Sequence, residues 1–223
     1  NLKEKMSHPK KTNVAQVSVI KKVSHVSLFA TSLVSEGYLK EGHKVLSLAS
    51  GIGIDEAYFA EQAKADVLGT DIEDELLSEA KIKEGPRLRY MIVDVTKPFE
   101  FSQSFDVVYA RNLLHYFNGI EQQRVVESIR DVLLPGGYFF FQLKSKDDYL
   151  YTNPDIKKIQ QSDGLTFFPD VGFSRNHLSQ EEVRRLLRKN GFGILRLETS
   201  QETLYNDTHP SNLISVIAQK GEL

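Results

Sequence analysis

The chain has 223 residues, enough for one α/β domain that buries its own core. Its 28 Lys and Arg residues nearly balance 30 Asp and Glu residues, so the net charge of -2 creates no overall field that would favour nucleic acid or an anionic membrane. The absence of cysteine excludes thiolate catalysis, disulfides and cysteine-ligated zinc.

The first part of the chain predicts a helix from Asn13 to about Leu39, because apolar side chains recur there at helical spacing. This helix either packs against a sheet or roofs a ligand site, where Tyr38 or His25 would touch substrate. No long apolar run and no signal-peptide pattern occurs, so we expect a cytoplasmic protein that does not bind membranes.

The next stretch predicts a buried strand over residues 45–49, then a tight turn through Ser50, Gly51 and Gly53, then a helix. In a parallel sheet such a turn lies at the carboxyl end of the strand, where ligands bind. Glycine has no Cβ, so the backbone can approach a ligand closely. We infer a nucleotide-like cofactor.

Two acids after this turn narrow the choice of cofactor. Asp55 and Glu56 stand at the helix start, where they would repel a pyrophosphate. S-adenosylmethionine has no phosphate, and its ammonium and sulfonium outweigh its carboxylate, so acids nearby are compatible with it. Alternatively, the two acids only favour the start of a helix.

Two further acids end predicted strands. Asp71 ends the strand over residues 65–71, about 20 residues beyond the first strand, where it can accept both ribose hydroxyls of an adenosine. It could instead cap the next helix. Asp94 follows the strand over residues 87–93 and either accepts from an adenine amino group, with Val95 covering the ring, or starts a turn.

The fourth predicted strand, residues 105–110, is apolar and ends in polar residues that would lie at the ligand edge. Among these are Arg111, His115 and Tyr116. A helix from Asn118 then leads through a turn at residues 135–137 into a very apolar fifth strand, residues 138–143.

An aromatic segment, residues 146–177, interrupts the alternation of strands and helices. It is too long for an ordinary connection, so it is either a lid over substrate or a surface excursion with its own apolar cluster. Two strands close the chain, and the connection between them at residues 199–211 lets them pair antiparallel. We expect a cap helix and extension in residues 1–40 and one domain in residues 41–223.

These elements predict an α/β fold: a Rossmann-like, seven-stranded, mostly parallel sheet with an antiparallel last strand and helices on both faces. Residues 40 to 220 resemble the class I S-adenosylmethionine-dependent methyltransferases, and within them the small-molecule enzymes of the tellurite-resistance and thiopurine type. The segments that carry the resemblance are VLSLASGIGID, LGTDIEDELLSEA, IVDV, FDVVYARNLLHYF, LLPGGYFFFQLK and LSQEEVRRLLRKNGF.

The resemblance implies S-adenosylmethionine as cofactor and assigns roles to ten residues of this chain. The turn would line the methionine moiety, Asp71 would bind the ribose, two apolar residues and Asp94 would bind adenine, and the end of the fourth strand would face the reactive methyl group. The cofactor set is Ala49, Ser50, Gly51, Gly53, Asp71, Ile72, Asp94, Val95, Ala110 and Arg111. The chain departs from the family at Ser47, where an acid is usual, and at Ala49, where glycine is usual.

The implied reaction is in-line attack by a small-molecule nucleophile on the sulfonium methyl group. A phenol, alcohol or protonated amine would need a base, and the candidates are His115, His177 and Tyr116, each of which could instead be structural. A thiol, selenol or tellurite-like nucleophile would need none. The sequence contains no metal-ligand cluster, so we predict no metal.

Two other functions stay open. Ser47 favours a methyltransferase-like binding or regulatory protein without catalysis. A basic helix at residues 184–189 favours a nucleic-acid or protein methyltransferase, although the fourth strand does not end in the N/D-P-P-Y/F pattern of many amino-methylating enzymes. We expect a monomer or homodimer with no nucleic-acid partner.

Overall fold

A computed structural model of the chain describes residues 25–202 and 211–221. Its helices are α1 (Leu28–Ser35), α2 (Ile54–Gln62), α3 (Asp74–Ala80), α4 (Gly119–Val132), α5 (Tyr149–Thr152) and α6 (Gln180–Lys189). Its strands are β1 (Lys44–Leu48), β2 (Asp66–Asp71), β3 (Leu88–Ile92), β4 (Phe105–Arg111), β5 (Leu133–Lys144), β6 (Ile159–Gln160), β7 (Thr166–Phe168), β8 (Phe173–Arg175), β9 (Phe192–Glu202) and β10 (Ser211–Lys220). No helix in the described ranges is long and apolar enough to cross a membrane.

Seven strands form the main sheet in the order β3-β2-β1-β4-β5-β10-β9. The first five pair in parallel, and β10 is antiparallel to both β5 and β9. This confirms the predicted sheet and its antiparallel last strand. The chain runs outward from β1 to β3 and then returns to β4, so the order reverses between β1 and β4. Ligands of such sheets bind outside the carboxyl ends of the strands at this reversal.

Helices cover both faces of the sheet, as predicted. On one face α1, α2 and α3 bury Leu33, Phe59 and Leu77 in one apolar cluster. On the other face α4 and α6 bury Ile129 and Leu187 in a second cluster. The central strands are apolar on both sides because both sides are covered, which explains their continuous apolar runs.

The predicted helix over residues 13–39 is confirmed only over Leu28–Ser35 in its described part, and its start at Asn13 lies outside the described residues. Residues 25–27 are not helical, and α1 ends at Ser35. Ser27 is extended (φ -65°, ψ 148°), and its hydroxyl caps the helix by accepting from the Ala30 N–H at 3.0 Å. The Ser27 N–H and hydroxyl also donate to the Asp55 carboxylate, each at 2.8 Å. This tertiary contact holds Ser27 out of a helix.

Ser27→Ala is expected to lower the free energy of unfolding by about 2 kcal/mol, because it removes both a helix cap and a hydrogen bond to a buried carboxylate. Denaturant titration at pH 7 measures the loss. Ser35→Ala is the matched control, since that side chain is exposed at the other end of α1 and its loss should change stability by less than about 0.5 kcal/mol. Equal losses in the two variants would contradict the role of Ser27.

The turn predicted at residues 135–137 lies within β5 as an irregularity of the strand. Pairing with β4 passes from Phe105–Leu133 directly to Val107–Tyr138, so the residues between are looped out of the ladder. Gly136 adopts a φ of 74° there, which glycine accommodates without strain.

The 146–177 insertion forms α5 and a three-stranded antiparallel sheet of β6, β7 and β8. Its ends meet in a bridge between Ser145 and Leu178, at the carboxyl end of β5. Phe168 is fully buried and packs against Phe173 and His177. The insertion therefore sits at the ligand edge of the main sheet and has an apolar cluster of its own.

Candidate functional site

The two glycines of the turn after β1 have different surroundings. Gly53 has a φ of 74°, and a Cβ built on it would lie 2.0 Å from the Tyr90 Oη, which donates to the Gly53 carbonyl at 3.1 Å. Gly51 has a φ of 56°, but a Cβ there would meet no atom within 4 Å. Gly53 is thus required for packing, whereas Gly51 borders open space.

The residues before Gly51 complete the turn. Ala49 has a φ of 55°, a left-handed conformation that costs a residue with a Cβ about 1–2 kcal/mol. The usual glycine at this position would avoid that cost. The Ser50 hydroxyl is buried and makes no hydrogen bond. Ala49 therefore holds a strained backbone conformation in this turn.

Asp71 lies directly across from this turn. One carboxylate oxygen accepts from the Gly51 N–H at 2.9 Å and the other from the Glu73 N–H at 3.0 Å, next to the start of α3. Burial raises the pKa of Asp71, and the backbone N–H donors partly offset this effect. The contact with the Glu73 N–H lies next to the helix that Asp71 could cap, whereas its binding of a ribose stays a prediction. An ionised carboxylate oxygen has a second lone pair, so both oxygens can accept further donors.

The residues predicted to surround adenine lie at the ends of β2 and β3. Ile72 is 53% exposed, unusual for an isoleucine beside a strand end, and Val95 is partly buried against the core. Asp94 accepts from the Thr96 N–H at 3.0 Å and from its hydroxyl at 2.6 Å, so it does begin a turn. Ile72 offers the most accessible apolar surface of the three.

At the end of β4, Arg111 is held between two carboxylates. Its Nη1 lies 3.7 Å from the Asp55 Oδ2, and its Nη2 donates to the Glu202 Oε2 at 2.9 Å. Asp55 also accepts from the Tyr109 hydroxyl at 2.7 Å. These acidic neighbours raise the pKa of Arg111 despite its burial. Ala110, the preceding residue, is fully buried.

Glu56 occupies the position next to Ser47, the residue that replaces the usual acid of β1. The Ser47 hydroxyl donates to the Glu56 Oε1 at 2.5 Å, and Glu56 is only 2% exposed. Burial, followed by the charge of Asp55, raises the pKa of Glu56 to about 8. Sequence reasoning noticed both acids but did not predict that only Glu56 contacts Ser47.

Two of the three candidate bases, His115 and His177, are buried. The His115 Nδ1 faces the Lys144 N–H at 3.3 Å, and its Nε2 contacts the Arg175 guanidinium. Burial and Arg175 hold the pKa of His115 well below its usual range, and burial lowers the pKa of His177 to about 3. Both imidazoles are therefore neutral at pH 7.

The third candidate base, Tyr116, is exposed, and Tyr38 lies away from the ligand edge. Tyr116 is 45% exposed, with the Arg175 guanidinium 4.8 Å from its ring centre. Tyr38, proposed to touch substrate, instead packs edge-on against Tyr138 and Phe140 on the core side of the sheet. Tyr38 therefore does not reach the ligand edge, because α1 ends at Ser35 and the residues after it pack on the apolar cluster of that face.

Sequence reasoning missed several charged residues at this edge. Lys144 and Glu202 end β5 and β9, and the rule that polar strand ends face the ligand could have found both. Lys144 is buried, 3.7 Å from the Asp148 Oδ2. Nothing in the sequence indicates that Arg175, inside the insertion, contacts His115. Across the described part of the chain, no group of three His, Asp or Glu side chains could hold a metal ion.

Residues 45–137 match a family model described as a methyltransferase domain. No curated protein sequence matches the chain. Among solved structures, an S-adenosylmethionine-dependent methyltransferase from Methanosarcina mazei is similar, with a TM-score of 0.70 at 21% identity over 85% of this chain and 98% of that one.

Two other similar structures have more specific descriptions. The magnesium protoporphyrin IX methyltransferase of Synechocystis PCC 6803, with bound S-adenosylmethionine, gives a TM-score of 0.60 at 18% identity over 93% of this chain and 81% of that one. The cyclase SpnF has a TM-score of 0.66 at 19% identity, over 86% of this chain and 80% of that one. The match shows a methyltransferase domain over residues 45–137, and the strand order of the sheet is that of a fold shared with solved S-adenosylmethionine-dependent methyltransferases.

Proposed function

We propose that the protein is an S-adenosylmethionine-dependent methyltransferase that transfers a methyl group in line to a small molecule. The cofactor would occupy the open space bordered by Gly51 and Asp71. The observation that carries the proposal is the pairing of an open glycine with a buried carboxylate at the point where the strand order reverses. A ribose with two hydroxyl donors fits such a carboxylate, and the bare backbone of Gly51 leaves room for it.

The other cofactor residues follow from this placement. The exposed side chain of Ile72 and the side chain of Val95 would cover the two faces of adenine, and Asp94 would accept from its amino group. When bound, S-adenosylmethionine supplies a methyl group on a sulfonium that is already a reactive donor. Ala49 and Ser50 would shape the turn against its methionine moiety.

Positioning is the main task left to the protein. Arg111 is fixed by Asp55 on one side and Glu202 on the other, so it and Ala110 form a rigid wall at the reactive end. Correct alignment of a nucleophile with a methyl donor can contribute roughly 7 to 11 kcal/mol. A rigid, largely dry wall suits this kind of catalysis.

A small substrate is favoured by the insertion, which we propose acts as a lid within a domain spanning residues 41–223, with residues 1–40 as an extension. The Asn176 N–H donates to the His115 carbonyl at 2.8 Å, which fixes the end of the insertion over β4. Both nitrogens of His177, the last residue of the insertion, are buried without hydrogen-bond partners, and so is the Glu202 Oε1 at the end of β9. A polar small molecule could satisfy them. We expect cytoplasmic action as a monomer or homodimer.

Calorimetry with S-adenosylmethionine and S-adenosylhomocysteine tests the cofactor site, and transfer of a labelled methyl group to pools of small molecules tests the substrate class. We expect saturable binding of both cofactor forms and label in a low-mass product. Absence of binding at millimolar cofactor would refute the proposal. Tight, salt-dependent association with added RNA or DNA would refute the small-molecule assignment.

A second candidate function is binding of the cofactor without methyl transfer. Two observations favour it: Ser47 replaces the usual acid, and a structure of similar fold is described as a cyclase. Tight cofactor binding with no transfer to any acceptor would support this alternative.

His115→Ala is expected to lower turnover roughly 100-fold or more if His115 is the base, while the dissociation constant of the cofactor stays unchanged. Because its pKa lies well below 6.5, the native enzyme should keep its turnover as the pH falls through 6.5. Steady-state kinetics against pH measures both effects. His43→Ala, at the opposite edge beside Asp106 and Pro135, is the control and should leave turnover intact. Unchanged turnover in His115→Ala would eliminate the base.

A further inference from the structure

Only one of the two carboxyl oxygens of Glu56 makes a hydrogen bond. Its Oε1 accepts from the Ser47 hydroxyl at 2.5 Å, but its Oε2 is buried and makes no hydrogen bond. Glu56 is 2% exposed, so water reaches this group poorly. A buried carboxyl oxygen without a donor is unfavourable. The contact with Ser47 therefore accounts for only one of the two oxygens.

The position of Glu56 relates it to the cofactor site. Asp71 ends β2, and β1, with Ser47 and the Gly51 turn, lies between β2 and β4. Glu56 contacts Ser47 and interacts electrostatically with Arg111 at the end of β4. A cofactor whose ribose is at Asp71 and whose body passes over Gly51 would thus bring its amino-acid end towards Glu56.

The charges around this point suit a cation. Among the described residues, Asp55, Glu56 and Glu202 surround the single guanidinium of Arg111. Arg111 already pairs with two of these three acids. An incoming ammonium group would supply both the missing charge and the missing hydrogen-bond donor.

We propose that Glu56 binds the ammonium group of the cofactor's methionine moiety, while the Ser47 hydroxyl holds the Glu56 carboxylate in position. This inference rests on the proposed cofactor site at Gly51 and Asp71. Ser47 stands in the strand position that resembles the acid position of related enzymes, and Glu56 returns a carboxyl group to the same place from helix α2.

Binding should then release a proton. Burial and Asp55 raise the pKa of Glu56 to about 8, so the empty protein holds a proton there at pH 7. The other groups that face it are Arg111 from β4 and Tyr90 from β3. Pairing with an ammonium ionises Glu56, so affinity should rise with pH up to about 8. Above that it should fall, because a free α-amino group loses its own proton at about 7.7–8.0.

The test is calorimetry of S-adenosylmethionine binding at pH 7 in two buffers with different ionisation heats. The native protein should release close to one proton per cofactor bound. Glu56→Gln should bind roughly tenfold or more weakly and release none. The nucleoside 5′-methylthioadenosine lacks the amino-acid portion, so the native protein and Glu56→Gln should bind it equally. Glu61→Gln, exposed on the same helix, is the matched control and should behave as native.

A double exchange, Ser47→Asp with Glu56→Ser, moves the carboxyl group to β1 and should recover part of the lost affinity. Unchanged affinity and proton release in Glu56→Gln would overturn the role of Glu56 and leave the cofactor site standing. Equal weakening for both ligands would also overturn it, since that result marks a structural residue. Failure of the native protein to bind S-adenosylmethionine would overturn both proposals.

Discussion

Asp71→Ala is expected to weaken S-adenosylmethionine binding roughly 100-fold or more, because two hydrogen bonds from ribose hydroxyls to a charged acceptor are lost at about 1.5–3 kcal/mol each. The folded state loses two hydrogen bonds from the Gly51 and Glu73 N–H groups, but it no longer buries a carboxylate whose pKa is raised by burial. Because these effects offset each other, the free energy of unfolding should fall by only about 1–2 kcal/mol. Calorimetry and denaturant titration on the same preparation measure the two effects.

Asp66→Ala provides the control for Asp71. Asp66 begins the same strand at the opposite edge, where its side chain is exposed and pairs with Arg87 at 2.9 Å. Its removal should leave cofactor affinity unchanged. If Asp71→Ala lowered stability as much as affinity, Asp71 would be a structural residue of the turn and not a cofactor ligand.

Gly53→Ala is expected to have the largest effect on folding, a loss of about 2–5 kcal/mol in the free energy of unfolding. The left-handed backbone penalises any Cβ, and the new methyl group would overlap the Tyr90 hydroxyl. Since a whole domain is stable by only about 5–15 kcal/mol, this loss should be visible as a large drop in the unfolding midpoint. Denaturant titration measures it.

Gly51→Ala is the matched variant for Gly53, since it has the same kind of backbone but open space around its Cβ. It should cost only about 1–2 kcal/mol of stability, and its main effect should be on cofactor binding, because the methyl group enters the proposed site. Equal destabilisation by the two alanines would show that the contact with Tyr90 does not decide the outcome.

Most of the sheet was predictable because its strands are continuous apolar runs that end in polar residues. Covering both faces with helices imposes that pattern on the sequence directly. The start of the helix before β1 was not predictable, because Ser27 is held by Asp55, 28 residues further along the chain. A local sequence pattern cannot indicate a contact between residues so far apart in the chain.

The candidate site was predictable to a similar extent. Asp71 follows from its spacing after the first glycine turn, and the structure brings it to Gly51. The pairing of Ser47 with Glu56 depends on the angle between β1 and α2, which the sequence does not contain. The contact of Arg175 with His115 depends on how the insertion docks, and insertions vary independently of the sheet.

The Asp55 carboxylate has one further consequence, for variation of the sequence. It accepts hydrogen bonds from Ser27, before the sheet, and from Tyr109 of β4, and it forms an ion pair with Arg111 at the end of β4. Substitutions among these partners should be strongly non-additive, since the first loss already removes much of what the second could remove. Residues in contact with Asp55 are therefore expected to vary together between related sequences.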